Sequence, residues 1–436
     1  MCLDRFTRIA HREKNDFIKE EKHTMSSPEQ PNQQTSGSQV VAYAMFGLLL
    51  VSYVLMSADR YLMSALGVAI QKTLAFSDQQ RGTLATIFTL GLGIGGIPSG
   101  WLIARSSRKT VMIAGILIFS AATYYLTVAP NFSSMFVALV IQGFGMAMLA
   151  TSMFALAGSY FSKNRVAALG AVNVCFGLGA VVAGKINPVL LAHYETSIGK
   201  ELSWQPTVQT YAAFGVVLAV LILLAVRPWF SETRAVTQQS ADVGGADSVK
   251  NRNTALLAIM SVVYGLAVYG FIGTYVSYLI HDLQYERKVA IDMLAWFGYG
   301  SLLSIFGGML GDRLSSKVVI IGSSLGVAAI GYFLYLPDLD ANQRLALSFA
   351  FGIFGPATLY TNLAGAHIKS MRRSLSRVGS SMFVTTLYAG GASGGFLISY
   401  IADQSSWINA SRFQLSALPL LCAILALGLR QDQMSK

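Results

Sequence analysis

The feature that most constrains this chain is a rhythm of uncharged apolar runs, each long enough to cross a bilayer. Residues 40–57 carry no charged side chain, and comparable segments recur at about 39–70, 82–104, 109–128, 133–160, 165–192, 208–229, 254–281, 290–311, 317–336, 343–367, 376–402 and 411–430. A hydrocarbon core of roughly 30 Å is crossed by about 20 mostly apolar helical residues. Lipid offers the backbone no hydrogen-bond partner, so such runs must be helices. The sequence therefore predicts an all-α polytopic membrane protein with 12 transmembrane helices. Charged residues are only 12% of the 436 and apolar residues 53%. That leaves too few charges to coat soluble domains of this length and far too much apolar character for disorder. Cys2, Cys175 and Cys422 are too scattered for a disulfide framework or a zinc site.

A polar stretch at 227–253 divides the twelve runs into six and six. The expected organisation is a disordered cytoplasmic tail at 1–38, a six-helix bundle at 39–229, a central cytoplasmic linker at 230–253, a second bundle at 254–430 and a short tail at 431–436. The first tail holds six basic and six acidic residues and no apolar core, so no cleavable signal peptide is expected, and Met25 is an alternative start. With the N-terminus placed inside, the inner loops and the C-terminal end carry 17 Lys and Arg against 7 in the outer loops. That bias places both termini in the cytoplasm, in a multi-pass protein of the plasma membrane, or of the inner membrane if the source is bacterial. The net charge of +11 is thus an orientation signal. No nucleic-acid partner is expected; the lipid bilayer is.

Two loops match each other. Gly100-Trp101-Leu102-Ile103-Ala104-Arg105-Ser106-Ser107-Arg108-Lys109 aligns without a gap with the stretch from Gly308 through Asp312 and Arg313 to Lys317, 208 residues later. Gly, Leu, Arg, Ser and Lys recur at the same offsets, in the same loop of each half, which indicates duplication into parallel repeats. Here the chain resembles the major facilitator superfamily, whose cytoplasmic signature runs Gly-x-Leu-x-Asp-Arg-x-Gly with two basic residues after it. The resemblance covers about 39–430 and implies the major facilitator fold, two six-helix bundles that alternate access to a central site. It also implies a cytoplasmic gate at Arg105, Arg108, Lys109, Asp312, Arg313 and Lys317. A carboxylate there can accept from the N-terminal amides of an opposing helix, and the basic residues can pair across the seam. The first copy departs from the signature, with Ala104 at the Asp position and Ser107 at the second Gly. Its half of the gate is expected to be the weaker. The alternative is that these cations only set topology.

Ionisable residues at membrane depth are costly and mark function. Asp59 and Arg60 interrupt the first run, and the next charge is Lys72. Helical neighbours point about 100° apart, so one of the pair can face a central cavity while the other reaches a neighbouring helix. If the helix instead ends near Ser57, the pair is an outer cap. Ser57-Ala58-Asp59-Arg60-Tyr61-Leu62 resembles the first-helix motif of the anion:cation symporter branch of the superfamily. That resemblance implies a carboxylate-holding Arg60 and a proton-coupling Asp59, for cargo such as sugar acids and dicarboxylates. The spinster-type lipid transporters have a similar pair, and the stretch 77–84 also looks like theirs. Both branches usually add an Arg and a Glu in the fourth helix, where this chain has the uncharged Gln142-Gly143-Phe144-Gly145-Met146-Ala147. Lys185, in the fifth run, is either a replacement anion ligand or a lysine reaching out to the interface.

Aromatic and amide residues supply the remaining candidates. Tyr269, Tyr299, Tyr360 and Asn362, with Gln142, are taken as substrate-binding residues, because tyrosine offers a flat apolar face and a hydroxyl. Tyr278 and Trp204 are read as interfacial aromatics. Gly390, Gly391, Gly394 and Gly395 make a small-residue stretch suited to rocking. No phosphate loop, metal-ligand spacing or catalytic constellation is found, so neither an enzyme nor a cofactor nor a metal is expected. The expectation is a monomeric secondary transporter of a small organic anion, driven by protons. The alternatives are a spinster-like exporter of lipids or amphiphiles, an uncoupled uniporter or exchanger, and, from another class, a sensor on the same scaffold.

Overall fold

A computed structural model describes residues 36–435 apart from 64–65, 67–69, 71–72, 77–79, 81–82, 85, 162–163, 200–201, 233–244 and 373–374. The tail to residue 35 with Met25, most of 77–84 and the middle of the linker lie outside the described residues.

Helices account for nearly all of the described chain. In the first half they are α1 (Ser36–Arg60), α2 (Phe88–Arg105), α3 (Arg108–Leu126), α4 (Phe132–Tyr160), α5 (Arg165–Ile198) and α6 (Trp204–Ala225). In the second half, α7 is Arg252–His281, α8 is Arg287–Ser301 continued by Ser304–Arg313, and α9 is Ser316–Phe333. Span α10 runs as Ala341–Gly352, Ile353–Tyr360 and Thr361–Lys369, α11 is Ser376–Gln404, and α12 runs as Trp407–Ser411, Arg412–Ala417 and Leu418–Leu427. The middle segments of α10 and α12 are wider π turns; in α10 that segment contains Pro356, whose missing N–H such a turn accommodates. Among the described residues, nine helices are long and apolar enough to cross a membrane. Spans α2, α10 and α11 complete the twelve: α10 is divided by its π turn, and α2 and α11 are rich in glycine and hydroxyl residues, the composition of helices that pack on helices.

Local chemistry sets many of the boundaries. Asn131 caps α4 and Asp340 caps α10, each in a reciprocal capping box, with Ser134 and Gln343 respectively. Ser107 and Ser315, which occupy matching places in the two repeats, cap α3 and α9 by accepting from the Thr110 and Val318 amides at 3.0 and 3.2 Å. The serine at the signature's glycine position is thus a helix N-cap.

Buried apolar side chains from both halves form one continuous cluster, while Leu224, Phe306, Phe396 and Ile424 point outward, Phe396 with 75% of its surface exposed. Large outward apolar surface of this kind belongs against lipid. Span α11 lies against α7 because Gly390 and Gly394 have no side chain: a Cβ at Gly390 would strike the Val262 carbonyl, and one at Gly394 would stand 2.7 Å from that of Leu266. These glycines serve close packing of the two helices.

Several sequence expectations change. The named helix α1 stops at Arg60 rather than near 70, yet Leu62, Met63, Leu66 and Ile70 beyond it are buried, so the Asp-Arg pair is no exposed cap. Tyr278 and Trp204 are not interfacial aromatics; both are buried, Tyr278 donating to the Tyr335 carbonyl at 2.8 Å and Trp204 Nε1 to Thr73 Oγ1 at 3.2 Å. Arg344, counted among the outer-loop charges, is fully buried and donates to the Leu336 and Pro337 carbonyls at 2.7 and 3.0 Å. At the end of the molecule that carries the repeats, the last residues are built in. Ser435 donates its amide to the Lys369 carbonyl at 2.7 Å and accepts from Arg165 at 3.3 Å, and Gly245 of the linker donates to the Gln433 carbonyl at 3.1 Å.

Candidate functional site

The two neighbours at the end of α1 diverge as helical geometry dictates. Asp59 is 3% exposed and turns into its own half. Its Oδ2 accepts from Thr123 Oγ1 on α3 at 2.8 Å and from Gln142 Nε2 on α4 at 3.0 Å. Gln142 Nε2 also donates to Thr123 Oγ1 at 2.8 Å, which closes a three-residue cluster, and Asp59 Oδ1 has no protein partner. A carboxylate is thus buried among neutral donors.

Arg60, 5% exposed, turns the other way, toward the second half. Its Nη1 donates to the Tyr388 hydroxyl on α11 at 3.0 Å. The guanidinium carbon lies 5.4 Å from the Tyr388 ring centroid, 5.7 Å from that of Phe176 and 5.9 Å from that of Phe88. Nε has no partner, and among the described residues no carboxylate pairs with Arg60. Nη2 lies 4.0 Å from Met56 Sδ, so the guanidinium is held by aromatic faces, one phenol and one thioether.

Beside it lies a cavity between the halves. Asn173 and Phe176 of α5 form one wall; Tyr264, Val268, Tyr269 and Ile272 of α7 form another; Phe297, Pro356, Tyr360 and Tyr388 complete it. Asn173 spans the halves, donating to Ser304 Oγ and to the Pro356 carbonyl at 2.7 Å each.

The substrate-binding candidates divide on this map. Tyr269 and Tyr360 are in the cavity wall, and Arg60 touches two of its rings. Gln142 is not in the wall; it belongs to the Asp59 cluster. Asn362 is buried and donates to the Gly307 and Thr358 carbonyls at 3.0 and 2.8 Å, so it ties α10 to α8. Tyr299 is 42% exposed, edge-on to Trp296, on the outer side of α8. Lys185 is exposed, outside the wall and nine residues beyond Phe176 on α5, about 13 Å along the axis. The structure does not bring Lys185, Tyr299 or Asn362 to the cavity: the first two face outward, and the third gives its N–H groups to backbone carbonyls of α8 and α10. Phe176, Asn173 and Thr123 went unnoticed in the sequence because nothing in a phenylalanine, a mid-helix asparagine or a threonine marks it among many. Tyr388 had one signal, a tyrosine inside a glycine-rich span.

At the repeat-bearing end, Asp312 does what a carboxylate at a helix end can do. Its oxygens accept from the Val166 and Ala167 amides, at the N-terminus of α5 in the opposite half, at 3.1 and 2.9 Å, and Lys369 Nζ lies 3.7 Å away. Two of the basic residues expected to pair across the seam bond to carbonyls of their own halves. Lys109 Nζ donates to the Leu223 and Val226 carbonyls at the end of α6, 2.7 Å each, and Lys317 Nζ donates to Leu427 O at the end of α12 at 2.6 Å. They cap helix C-termini. Arg108 bonds the Ser231 carbonyl and Ser159 Oγ at 3.2 and 3.0 Å, Arg105 stacks 3.9 Å from the Trp101 ring, and Arg313 is exposed. Gly308 sits against Val166 and Ala167 as Gly100 sits against Ser381 of α11, so Ala104 occupies the place symmetric to Asp312. Asp312→Ala is expected to loosen the seam by roughly 1–3 kcal/mol and Ala104→Asp to tighten it. Spin-label distances across the seam would report both; unchanged distributions for Asp312→Ala would remove its latch role.

Two helical halves meeting around a central cavity, wrapped in outward apolar surface, define a polytopic membrane transporter. Residues 48–395 match the Major Facilitator Superfamily, and the chain belongs to that superfamily. Among its relatives are the sphingosine-1-phosphate transporter SPNS2 of Xenopus tropicalis, 21% identical over 85% of this chain and 76% of that protein, and the cis,cis-muconate transport protein of Acinetobacter baylyi, 22% identical over 78% of this chain and 86% of that one. The crystal structure of the superfamily transporter FucP in the outward conformation superposes with a TM-score of 0.67 at 18% identity, over 88% of this chain and 97% of that one, a likeness of fold.

Proposed function

We propose that this protein moves a small organic anion across the membrane by alternating access, coupled to protons. One observation carries the reading: Arg60 is buried between the halves with no carboxylate partner among the described residues, its guanidinium shared between α1 and the Tyr388 hydroxyl of α11. An unpaired buried cation is costly unless a ligand compensates it, and a ligand held by both halves is sensitive to their rocking. Arg60 is the anion ligand, and Tyr269 and Tyr360 contact the body of the substrate. Asp59, whose Oδ1 is unpartnered, is the proton site. The bundles 39–229 and 254–430 move as two bodies joined by the linker 230–253. Asp312 holds the cytoplasmic seam, and both termini face the cytoplasm beneath a plasma membrane. One chain suffices, because it supplies both sides of the cavity.

A lipid or amphiphile exporter is the second reading, favoured by the match to a sphingosine-1-phosphate transporter. Proteoliposomes separate the readings. With an inward proton gradient, an organic acid is expected to accumulate above its equilibrium level, and collapse of the gradient is expected to abolish this. Equilibration without accumulation would indicate a uniporter or exchanger, and movement of lysolipid alone the second reading.

A further inference from the structure

Segment 430–435, just beyond α12, is threaded through the repeat-bearing end of the second half. Arg430 and Asn253, near the start of α7, form a reciprocal pair. Asn253 Nδ2 donates to the Arg430 carbonyl at 2.8 Å, and the Arg430 amide donates to Asn253 Oδ1 at 2.9 Å. Gln431, its amide oxygen turned to two backbone donors, accepts from the Ser316 and Lys317 amides at 3.0 Å each. It thereby satisfies N–H groups at the start of α9 that have no partner within the helix. The first half is built the same way: Glu232, beyond α6, accepts from the Arg108 and Lys109 amides at the start of α3, at 3.0 and 3.1 Å. Each half thus has a segment that turns back from its sixth helix to cap its third.

Segment 430–435 continues past that cap. The Gln433 carbonyl accepts from the linker Gly245 amide at 3.1 Å, Met434 is buried, and the Ser435 amide donates to the Lys369 carbonyl at 2.7 Å. The linker lies alongside. Ala246 donates to the Ser370 carbonyl at 3.0 Å and accepts from the Arg372 amide at 3.2 Å, and Asp247 pairs with Arg372 Nε at 2.5 Å. Gly245 permits this approach: its φ is +81°, and a Cβ there would stand 2.5 Å from the Met371 carbonyl oxygen.

These second-half anchors deliver the Ser435 hydroxyl to the first half, where Arg165 Nη1 donates to it at 3.3 Å. Arg165, Val166 and Ala167 open α5, and the second half holds all three, Arg165 through Ser435 and the next two through Asp312. Arg165 is a buried cation at a helix N-terminus, where the helix dipole disfavours positive charge. An acceptor there is worth more than one to a neutral donor, and separation of the halves removes it.

We propose that segment 430–435 is a clasp across this seam. It is fixed to the second half, holds Arg165 while the repeat-bearing end is closed, and releases it when that end opens. The inference rests on the alternating-access reading above. The clasp sets the balance between closed and open forms, not the choice of cargo.

The test is distance measurement between spin labels on the purified full-length protein in nanodiscs. One pair, at Ser106 and Leu314, spans the seam; a second, at Val128 and Asp338, spans the opposite end. Ser435→Ala keeps the backbone anchor at Lys369, and removal of residues 433–436 spares the Gln431 cap. Each is expected to raise the ratio of long to short distances at the seam roughly 3- to 30-fold, the range for one hydrogen bond to a charged group partly replaced by water. The opposite pair is expected to shorten in step. Arg165→Gln is expected to act similarly, and combined with Ser435→Ala to exceed the larger single effect by less than twofold. Seam distances unchanged in Ser435→Ala and in the deletion overturn the clasp. So does seam widening with no answering change at the opposite end, which is local fraying. In both cases alternating access stands if the parent protein itself shows opposed long and short populations at its two ends. A parent without such opposed populations overturns both readings.

Discussion

Arg60→Ala is expected to lower anion affinity by roughly 30- to 1,000-fold, the span of about 2–5 kcal/mol associated with removing one member of a desolvated charge pair. The protein should meanwhile fold at least as well. Arg60 has no ion-pair partner in the described structure, so its removal breaks no salt bridge, and it relieves the desolvation of a guanidinium held by aromatic rings. The signature is therefore a fall in binding with an unchanged or raised Tm, the reverse of what a structural arginine shows. Arg60→Lys should retain part of the affinity, because the charge stays while the planar fork and the reach to Tyr388 are lost. Titration of ligand into the variants and thermal unfolding in the same detergent give both readings. Unchanged affinity in Arg60→Ala would remove the anion ligand from the mechanism.

Asp59→Asn is expected to abolish proton-driven accumulation while counterflow exchange of the same substrate stays within a few-fold of the parent protein. Asparagine is nearly isosteric with aspartate. One amide oxygen can still accept from Thr123 and Gln142, the donors 2.8 and 3.0 Å from Asp59 Oδ2, so the packing of α1 on α3 and α4 survives. What is lost is the ability to exchange a proton. Because Asp59 and Arg60 face opposite ways, the two variants separate: Asp59→Asn loses accumulation and keeps exchange, whereas Arg60→Ala loses binding and with it both. Gradient-driven accumulation that persists in Asp59→Asn would exclude this carboxylate as the proton site.

The fold was legible because its causes are local and repeated. Lipid demands long apolar helices, so hydropathy places the spans, and the boundaries differ by a few residues where caps intervene, as at Asn251 before α7 and Asp340 before α10. Duplication was legible in the paired loops, and the capping role of Ser107 and Ser315 follows from the same alignment. The site was half legible. Charges are so scarce in these spans that Asp59 and Arg60 stand out unaided. Lys185 stood out equally, yet it faces outward on α5, because scarcity flags a charge and says nothing of which way the helix presents it. The same ambiguity misplaced Tyr299, Tyr278 and Trp204: an aromatic near a span end can face lipid, cavity or core, and only the neighbouring helices choose among them.

By itself the sequence determined the class, the span count, the duplication and the position of the one charged pair at membrane depth, since each is set by composition along a single helix. Only the tertiary structure decided the partners. Arg60 meets Tyr388 across 328 residues of chain, and Asp312 reaches the start of α5 across 146. Those distances depend on how twelve helices rotate and cross, and rotation is set by side-chain packing between helices, which no single run of residues records.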